Sequence, residues 1–229
     1  MVDRRASADV VVAQGSEAGG HHRHAEPPTQ RAELGDAANQ VRIELGLPPL
    51  PDAGYRPVAS AGARGLLKVA LDMAPDHPEY PVRRDALLAH YRPNLTRRSR
   101  LFPGMNAFLV SLELAGKPWG VVTNKPAFLT DPLMAQLKLD TRAACCVSGD
   151  QVPQPKPAPD SLLLALRQVG VSAARTVYVG DDRRDIDAAR AAGIRSIAAA
   201  WGYLGPEAPH TWGADALVAA PSDLAALLS

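Results

Sequence analysis

Four aspartates stand within seven residues near the C-terminal end of the chain, in the stretch "GDDRRDID": Asp181, Asp182, Asp185 and Asp187. They follow the apolar run "TVYV", and Asp185 lies one helical turn beyond Asp181. This spacing lets both carboxylates face one point, as an oxygen-ligated cation such as Mg²⁺ requires. A helix dipole favours one or two acids at its start, but four acids also repel one another. The cluster therefore indicates a divalent cation, with Asp181 and Asp185 as candidate ligands.

Two other apolar runs are followed by residues suited to phosphate. Thr123 and Asn124 come directly after "WGVV", and a hydroxyl, an amide and nearby backbone N–H groups can bind phosphate oxygens. The same pair is also ordinary turn chemistry. Lys156 follows the run "CCVSGD" and stands between two prolines that stiffen the backbone on either side. It is either a fixed cation that neutralises a bound phosphate or an exposed loop lysine.

Composition excludes several classes of protein. The 229 residues have a formal net charge of +1, with 46% hydrophobic and 21% charged residues, which argues against a nucleic-acid-binding or disordered chain. Cys145 and Cys146 are adjacent, so in a strand they point to opposite faces and do not pair with each other. No stretch approaches the roughly 18 apolar residues of a membrane span, and no signal peptide is apparent. We expect a soluble, cytoplasmic protein.

The chain divides into three parts. Residues 1–33 are polar and irregular, and we expect them to be disordered, with "DVVVA" as their only strand-like piece. Residues 34–100 have helical periodicity and predict a small bundle of helices. Residues 101–229 alternate apolar runs with helical segments, which predicts an α/β fold with a parallel sheet covered on both faces. Thr123, Lys156 and the acidic cluster then follow strand ends, where open parallel sheets bind ligands.

Thr123, Lys156 and "GDDRRD", in this order, resemble the second, third and fourth motifs of the haloacid dehalogenase (HAD) superfamily of phosphatases. The resemblance covers roughly residues 34–229. Within the superfamily, "VVTNKP" and "KPAPDSLLLA" resemble the phosphoglycolate phosphatase branch. "ELGLPPL" and "WGYLGPEAPHTWGAD" are similar to N-acetylmuramic acid 6-phosphate phosphatase, a peptidoglycan-recycling member of that branch.

The resemblance implies a Rossmann-like core over residues 101–229, a helical cap over residues 34–100, and Mg²⁺-dependent phosphomonoester hydrolysis through an aspartyl-phosphate. It implies that Asp181 holds Mg²⁺ and that Asp185 supports the ion directly or through water. Thr123 and Asn124 would bind the phosphoryl group, and Lys156 would balance its charge.

The same resemblance implies a residue for the rest of the substrate and the kind of partner that the protein binds. Arg64, in the cap segment "SAGARG", is a candidate for the far end of the substrate, with a structural salt bridge as the alternative. The expected partner is a small phosphorylated metabolite, with neither nucleic acid nor membrane. We expect a monomer or a homodimer.

The first motif of the superfamily, an apolar strand ending in D-x-D-G-T, is missing. No aspartate lies between Asp9 and Asp36, and the periodicity places Asp36 on the first cap helix. The central strand of the family is therefore expected to be missing or replaced, with "DVVVA" as the one segment able to fill part of the gap. Without the first aspartate no aspartyl-phosphate forms, and without the second there is no general acid.

Three hypotheses account for this departure. Residues 1–33 reflect a shifted reading frame or start in a phosphatase, or the chain is a non-catalytic relative that binds phosphate or sugar phosphate. In the third hypothesis the chain is an enzyme with a different nucleophile. Coding DNA with D-x-D-G-T in another frame would support the shifted reading frame. Mg²⁺-assisted binding without turnover would support the non-catalytic relative. Turnover by the chain as written would support an enzyme with a different nucleophile.

Overall fold

The computed structural model describes residues 10–13, 30–55, 58, 62–93, 99–202, 204 and 207–228. The chain forms two compact units. The core contains the first strand and the residues from Arg100 onward, and the helical unit consists of the intervening sequence, His22–Ser99. Within the described ranges no helix is long and apolar enough to cross a membrane.

The core is built on one six-stranded sheet in which every neighbouring pair is parallel. The spatial order of its strands is β3-β2-β1-β4-β5-β6. The strands are β1 (Val10–Ala13), β2 (Trp119–Val122), β3 (Cys145–Val147), β4 (Thr176–Gly180), β5 (Arg195–Ala199) and β6 (Ala216–Val218). The predicted parallel α/β fold is confirmed, and the short edge strand β6 is an addition to it.

Strand β1 occupies the centre of the sheet, so the central strand is replaced rather than missing. It pairs with β2, where Val12 is in register with Gly120, and with β4, where Val12 is in register with Tyr178. A run of β-branched residues suits such a position, because the central strands of parallel sheets are typically continuous apolar runs. The segment that the sequence offered for this gap, "DVVVA", therefore fills it with Val10–Ala13.

Helices cover both faces of the sheet. They are α5 (Met105–Leu114), α6 (Ala127–Gln136), α7 (Asp160–Val169), α8 (Arg183–Ala191) and α9 (Leu224–Leu228). Alternate strand residues separate two apolar layers: Val121 and Val179 pack in the layer that includes α5 and α9, whereas Val122 and Tyr178 pack with α7 and α8. This alternation is the period-2 geometry of a strand, and it leaves the carboxyl ends of the strands to polar residues.

The helical unit contains α1 (Gln30–Glu44), α2 (Asp52–Tyr55), α3 (Gly62–Leu71) and α4 (Tyr80–Tyr91). Helix α1 begins at Gln30, four residues before the predicted start, and packs against the other three. The Asn39 side chain fixes the loop after α1, because it donates to the Leu50 carbonyl at 2.9 Å and accepts from the Leu50 N–H at 2.8 Å. The predicted helical segments therefore form, and Asp36 lies exposed on α1.

Candidate functional site

The loop after β2 is held in place by hydrogen bonds to the backbone N–H and carbonyl of Lys125. The Lys125 N–H donates to the Thr123 hydroxyl oxygen at 3.1 Å, and the Lys125 carbonyl accepts from the Gly149 N–H at 2.8 Å. Gly149 permits this approach, because a Cβ there would lie 2.8 Å from the Asn124 carbonyl carbon. Thr123 is buried, and its position directly after β2 is the predicted one.

Asn124 fixes the segment that carries Lys156. Its side-chain amide donates to the Lys156 carbonyl at 2.8 Å, and its side-chain oxygen accepts from the Lys156 N–H at 2.9 Å. This two-point contact joins the loop after β2 to the proline-flanked segment after β3. Asn124 therefore positions Lys156, a role that the sequence did not indicate.

The Lys156 ammonium is buried beneath the edge of the sheet, with 4% of the residue exposed. It donates to the Val122 carbonyl at 3.0 Å and to the Tyr178 hydroxyl at 2.7 Å. It also forms an ion pair with Asp185, with 2.8 Å between Nζ and Oδ1. Three acceptors match the three protons of an ammonium group, so this buried charge is fully hydrogen-bonded. Lys156 is a fixed cation and not an exposed loop lysine.

Asp185 combines a structural role in helix α8 with the pairing of Lys156. Its Oδ2 accepts from the Asp182 N–H at 3.1 Å, while Asp182 Oδ1 accepts from the Arg184 N–H at 2.9 Å, which forms a capping box at the start of α8. Gly180 lies directly against Asp185, since a Cβ at Gly180 would lie 2.7 Å from the Asp185 Cγ.

Asp182 is the N-cap residue of helix α8. Burial opposes the ionisation of Asp182, but hydrogen bonds and the charge of Arg184 hold its pKa below the ordinary value of 3.8. The ion pair between Arg184 and Asp182 measures 2.8 Å. Asp182 is therefore a charged helix cap, and its pairing with Arg184 explains part of the acidic cluster without a metal.

Tyr178 is a site residue that the sequence prediction missed. It is fully buried in β4, and its hydroxyl lies 3.3 Å from the Val122 carbonyl and 3.4 Å from Asp185 Oδ1, in addition to accepting from Lys156. Burial, and then the charge of Asp185, raise the pKa of Tyr178 well above 10. A tyrosine within an aliphatic buried strand was the available signal, because a buried hydroxyl needs a partner.

Asp181 follows β4 directly and is buried, with 5% of the residue exposed. Gly202, after β5, packs against it so closely that a Cβ there would lie 2.6 Å from the Asp181 Cγ. The charge of Asp181 acts on the ammonium of Lys125, which lies beyond the end of β2. Burial lowers the pKa of Lys125 to about 8, and the attraction of Asp181 opposes that change.

The donor set fits a cation only in part. Among the described residues there is no group of three or more histidine, cysteine, aspartate or glutamate side chains placed to hold a metal. Both oxygens of Asp185 accept from protein donors, but each carboxylate oxygen has a second lone pair, so Asp181 and Asp185 both stay predicted ligands. Mg²⁺ is commonly bound through one or two carboxylates together with substrate phosphates and waters. The residues therefore fit Mg²⁺ in company with a phosphate ligand.

Arg64 lies in the helical unit, exposed on α3. Within the described residues it forms no ion pair, so the alternative of a structural salt bridge gains no support there. Its assignment to the far end of a substrate stays a prediction.

Comparison with known proteins identifies the family. Residues 37–199 match the family model described as haloacid dehalogenase-like hydrolase. The chain belongs to the haloacid dehalogenase-like hydrolase family. A phosphoglycolate phosphatase of Xanthomonas campestris pv. campestris is 45% identical to this HAD-like hydrolase over 190 residues, which cover 81% of this chain and 84% of the relative. An N-acetylmuramic acid 6-phosphate phosphatase of Pseudomonas aeruginosa is 39% identical over 185 residues, covering 80% and 82%.

Solved structures support the fold of this HAD-like hydrolase. The crystal structure of a predicted phosphoglycolate phosphatase from Haemophilus somnus 129pt has a TM-score of 0.80 at 21% identity and covers 96% of this chain and 97% of its own. The crystal structure of CbbY from Rhodobacter sphaeroides in complex with phosphate has a TM-score of 0.74 at 20% identity, covering 96% and 99%. The family predicted from three motifs is thus confirmed, and it is a family of hydrolases with phosphatases among the close relatives of this chain.

Proposed function

We propose that the carboxyl edge of the sheet binds the phosphate of a small phosphomonoester, as in a phosphatase of the phosphoglycolate phosphatase type. The buried Thr123 hydroxyl accepts from the Lys125 N–H, and among the described residues its own proton has no acceptor. That proton can serve a phosphate oxygen, and the fixed charge of Lys156 lies behind the same loop to balance the ligand. This fixed pairing of hydroxyl and buried ammonium at one strand end carries the proposal.

Two ligands are candidates for this site, 2-phosphoglycolate and N-acetylmuramic acid 6-phosphate. Relatives named for the two corresponding phosphatases are 45% and 39% identical to this chain. Both compounds carry a carboxylate in addition to the phosphate. An arginine fork suits a carboxylate, and we assign this part of the ligand to the exposed Arg64. We place this function in the cytoplasm.

Mg²⁺ is proposed as the cofactor, with Asp181 as its protein ligand and Asp185 supporting the ion directly or through water. When bound, the ion would stabilise the negative charge of the phosphoryl oxygens. The chain's own contribution is positional: Gly202 leaves room for the Asp181 carboxylate, and the α8 cap fixes Asp185. We expect Mg²⁺ to bind weakly without a phosphate ligand and more tightly with one.

We further propose that the chain as written binds the phosphomonoester without hydrolysing it. The central strand reads Val-Val-Val-Ala, and no aspartate follows it in the sequence until Asp36. Asp36 is exposed on α1 and belongs to the helical unit. Aspartyl-phosphate chemistry therefore has no nucleophile here, although the binding groups on β2, the segment after β3, and β4 are all present.

Binding and phosphate release, measured on the same purified chain, test this proposal. We expect calorimetric titration with 2-phosphoglycolate or N-acetylmuramic acid 6-phosphate to show binding that strengthens with Mg²⁺, with no phosphate released. Thr123→Val should weaken binding about tenfold, since it removes one hydrogen bond to a charged group. Thr141→Val, which changes an exposed threonine, is the matched control. Absence of binding would refute the site, and phosphate release would point to a different nucleophile.

The origin of residues 1–33 has its own test, mass spectrometry of N-terminal peptides from the protein isolated from its native cell. A peptide containing "HHRHAEPPTQR" would show that the chain is made as written and support a binding protein. Peptides with D-x-D-G-T running into "AELGDAANQ" would instead support a working phosphatase whose sequence differs here. The coding DNA gives a second reading of the same question.

A further inference from the structure

The loop after β2 leaves two hydrogen-bond donors for a ligand. Among the described residues, neither the Thr123 hydroxyl proton nor the Asn124 backbone N–H has a protein acceptor. Both donors belong to the proposed phosphate site. A site binds more tightly when its donors are fixed before the ligand arrives, because less freedom is then lost on binding. The contacts that fix this loop therefore contribute to the affinity of the site.

The first part of the loop is fixed through the backbone. The Thr123 N–H donates to the Val147 carbonyl at 2.9 Å, and the Lys125 carbonyl accepts from the Gly149 N–H at 2.8 Å. These two bonds continue the parallel pairing of β2 with β3 beyond the ends of the strands. Because both bonds join backbone atoms, neither depends on the chemistry of a side chain.

The end of the loop is fixed by a side chain from the segment after β3. Helix α6 begins at Ala127, and its N-cap residue, Pro126, makes no side-chain hydrogen bond to the helix. Asp150 supplies the missing cap from outside the helix, since its Oδ1 accepts from the Ala127 N–H at 2.9 Å. The first N–H groups of a helix have no partner within the helix, and a carboxylate there also interacts favourably with the helix dipole.

The turn that carries Asp150 is itself well fixed. The Ser148 N–H donates to Gln151 Oε1 at 2.9 Å, and the Gln151 N–H donates to the Ser148 carbonyl at 3.1 Å. Gly149, in the same turn, holds the middle of the loop, and Asp150 holds its end. A carboxylate on a fixed turn loses little freedom when it accepts a hydrogen bond, so this contact holds the start of α6 in one place.

The charge of Asp150 distinguishes positioning from a direct effect on the ligand. Asp150 is exposed, and an acid near a bound phosphate repels it. If the carboxylate acted only through this repulsion, its removal would strengthen the binding of an anion. If it acts by holding α6 and the loop, its removal weakens binding. The two effects have opposite signs, so one affinity measurement separates them.

We propose that Asp150 is a positioning residue of the phosphate site. By capping α6 from the neighbouring loop, it holds the Thr123 hydroxyl and the Asn124 N–H in place for the ligand. This inference rests on the proposed phosphomonoester site, which it deepens by naming a residue that acts on the ligand through the loop.

Affinity for inorganic phosphate and for 2-phosphoglycolate, each measured by calorimetry with Mg²⁺, tests the inference. We expect Asp150→Ala to weaken both about tenfold, because the uncapped loop then occupies the binding conformation only part of the time. Asp150→Asn keeps an acceptor oxygen and should retain both affinities within about twofold. Asp140→Ala, the control, removes an exposed acid from the turn after α6 and should also change either affinity less than about twofold.

The outcomes separate the inference from the function beneath it. If the unaltered protein binds neither probe, the proposed function fails and this inference with it. If it binds both and Asp150→Ala binds them equally well or more tightly, the function stands and the positioning role is refuted. Equal losses in Asp150→Ala and Asp150→Asn would assign the effect to the charge and not to the acceptor oxygen, which also overturns the inference.

Urea unfolding of the same variants excludes a purely structural role. A cap that serves the helix alone would lower the free energy of unfolding of Asp150→Ala and leave its affinity for phosphate unchanged, because nearly all of the protein is still folded. That result would overturn the inference. Lower affinity in a variant that is fully folded by circular dichroism, restored in Asp150→Asn, is the expected result.

Discussion

Lys125→Met is expected to make the core more stable at neutral pH. Burial lowers the pKa of Lys125 from 10.5 to about 8 in the folded protein. At about 1.4 kcal/mol for each factor of ten in proton affinity, the charged lysine opposes folding by roughly 3.5 kcal/mol at most. Lys125 is half-buried as a residue, so we reduce this upper limit for solvent screening and expect a gain of about 1–3 kcal/mol in the free energy of unfolding.

The lowered pKa of Lys125 also determines how the stability difference between the two proteins changes with pH. Below pH 8 the lysine is protonated in both the folded and the unfolded chain, so the full cost is present there. As pH rises from about 8 to 10.5, the folded protein loses its proton first, and the cost disappears. The stability advantage of Lys125→Met should therefore be largest at pH 7 and should shrink steadily above pH 8.

Urea unfolding followed by tryptophan fluorescence measures this difference in the core alone. All three tryptophans, Trp119, Trp201 and Trp212, lie in the core unit, so the helical unit contributes no signal. Lys138→Met, an exposed control, should leave the unfolding midpoint within error of the unaltered protein. A variant Lys125→Met that is less stable at pH 7, or an advantage that does not fall above pH 8, would refute the reasoning.

Two further predictions concern the carboxylates. Asp185→Asn leaves the buried Lys156 ammonium without its counter-charge and should lower the free energy of unfolding in urea by about 3–5 kcal/mol. The control is Asp187→Asn, whose partly exposed carboxylate pairs with surface arginines and which should cost at most about 1 kcal/mol. Equal costs would contradict a central role for the buried pair. Gly202→Ala forces a Cβ against the Asp181 carboxylate. Calorimetry should then show at least tenfold weaker Mg²⁺-assisted binding of 2-phosphoglycolate, and unchanged affinity would argue against Asp181 as the metal ligand.

The strand ends could be predicted from the sequence because their physical signal is strong. Runs such as "WGVV" and "TVYV" are buried on both faces of the sheet, and the polar residues that follow them mark where each strand ends. Thr123, Lys156 and Asp181 were placed correctly at one edge for this reason. The three-residue strand β6 has too few residues for such a pattern, and it was missed.

The connections within the site were harder to predict because they depend on contacts between distant residues. The sequence assigned Asn124 to the ligand, which stays a prediction, and it did not indicate that the Asn124 amide contacts the backbone of Lys156, 32 residues away. It assigned Asp185 to a metal, which stays a prediction, and it did not indicate that the carboxylate also pairs with Lys156 from another loop. Spacing along the chain indicates which residues share an edge, whereas only the fold determines which of them use one another's hydrogen bonds.

In the proposed function, the groups that bind phosphate and the aspartate that acts as nucleophile in the family belong to different strands. Within the part of the chain that the structure describes, the partners of Lys156 come from β2, β4 and α8. Strand β1 contributes backbone pairing at the centre of the sheet, which a Val-Val-Val-Ala segment can supply as well as a strand that ends in aspartate. Under the proposed function, loss of the nucleophile removes the aspartyl-phosphate chemistry, while the sheet and the residues proposed to bind phosphate stay in place.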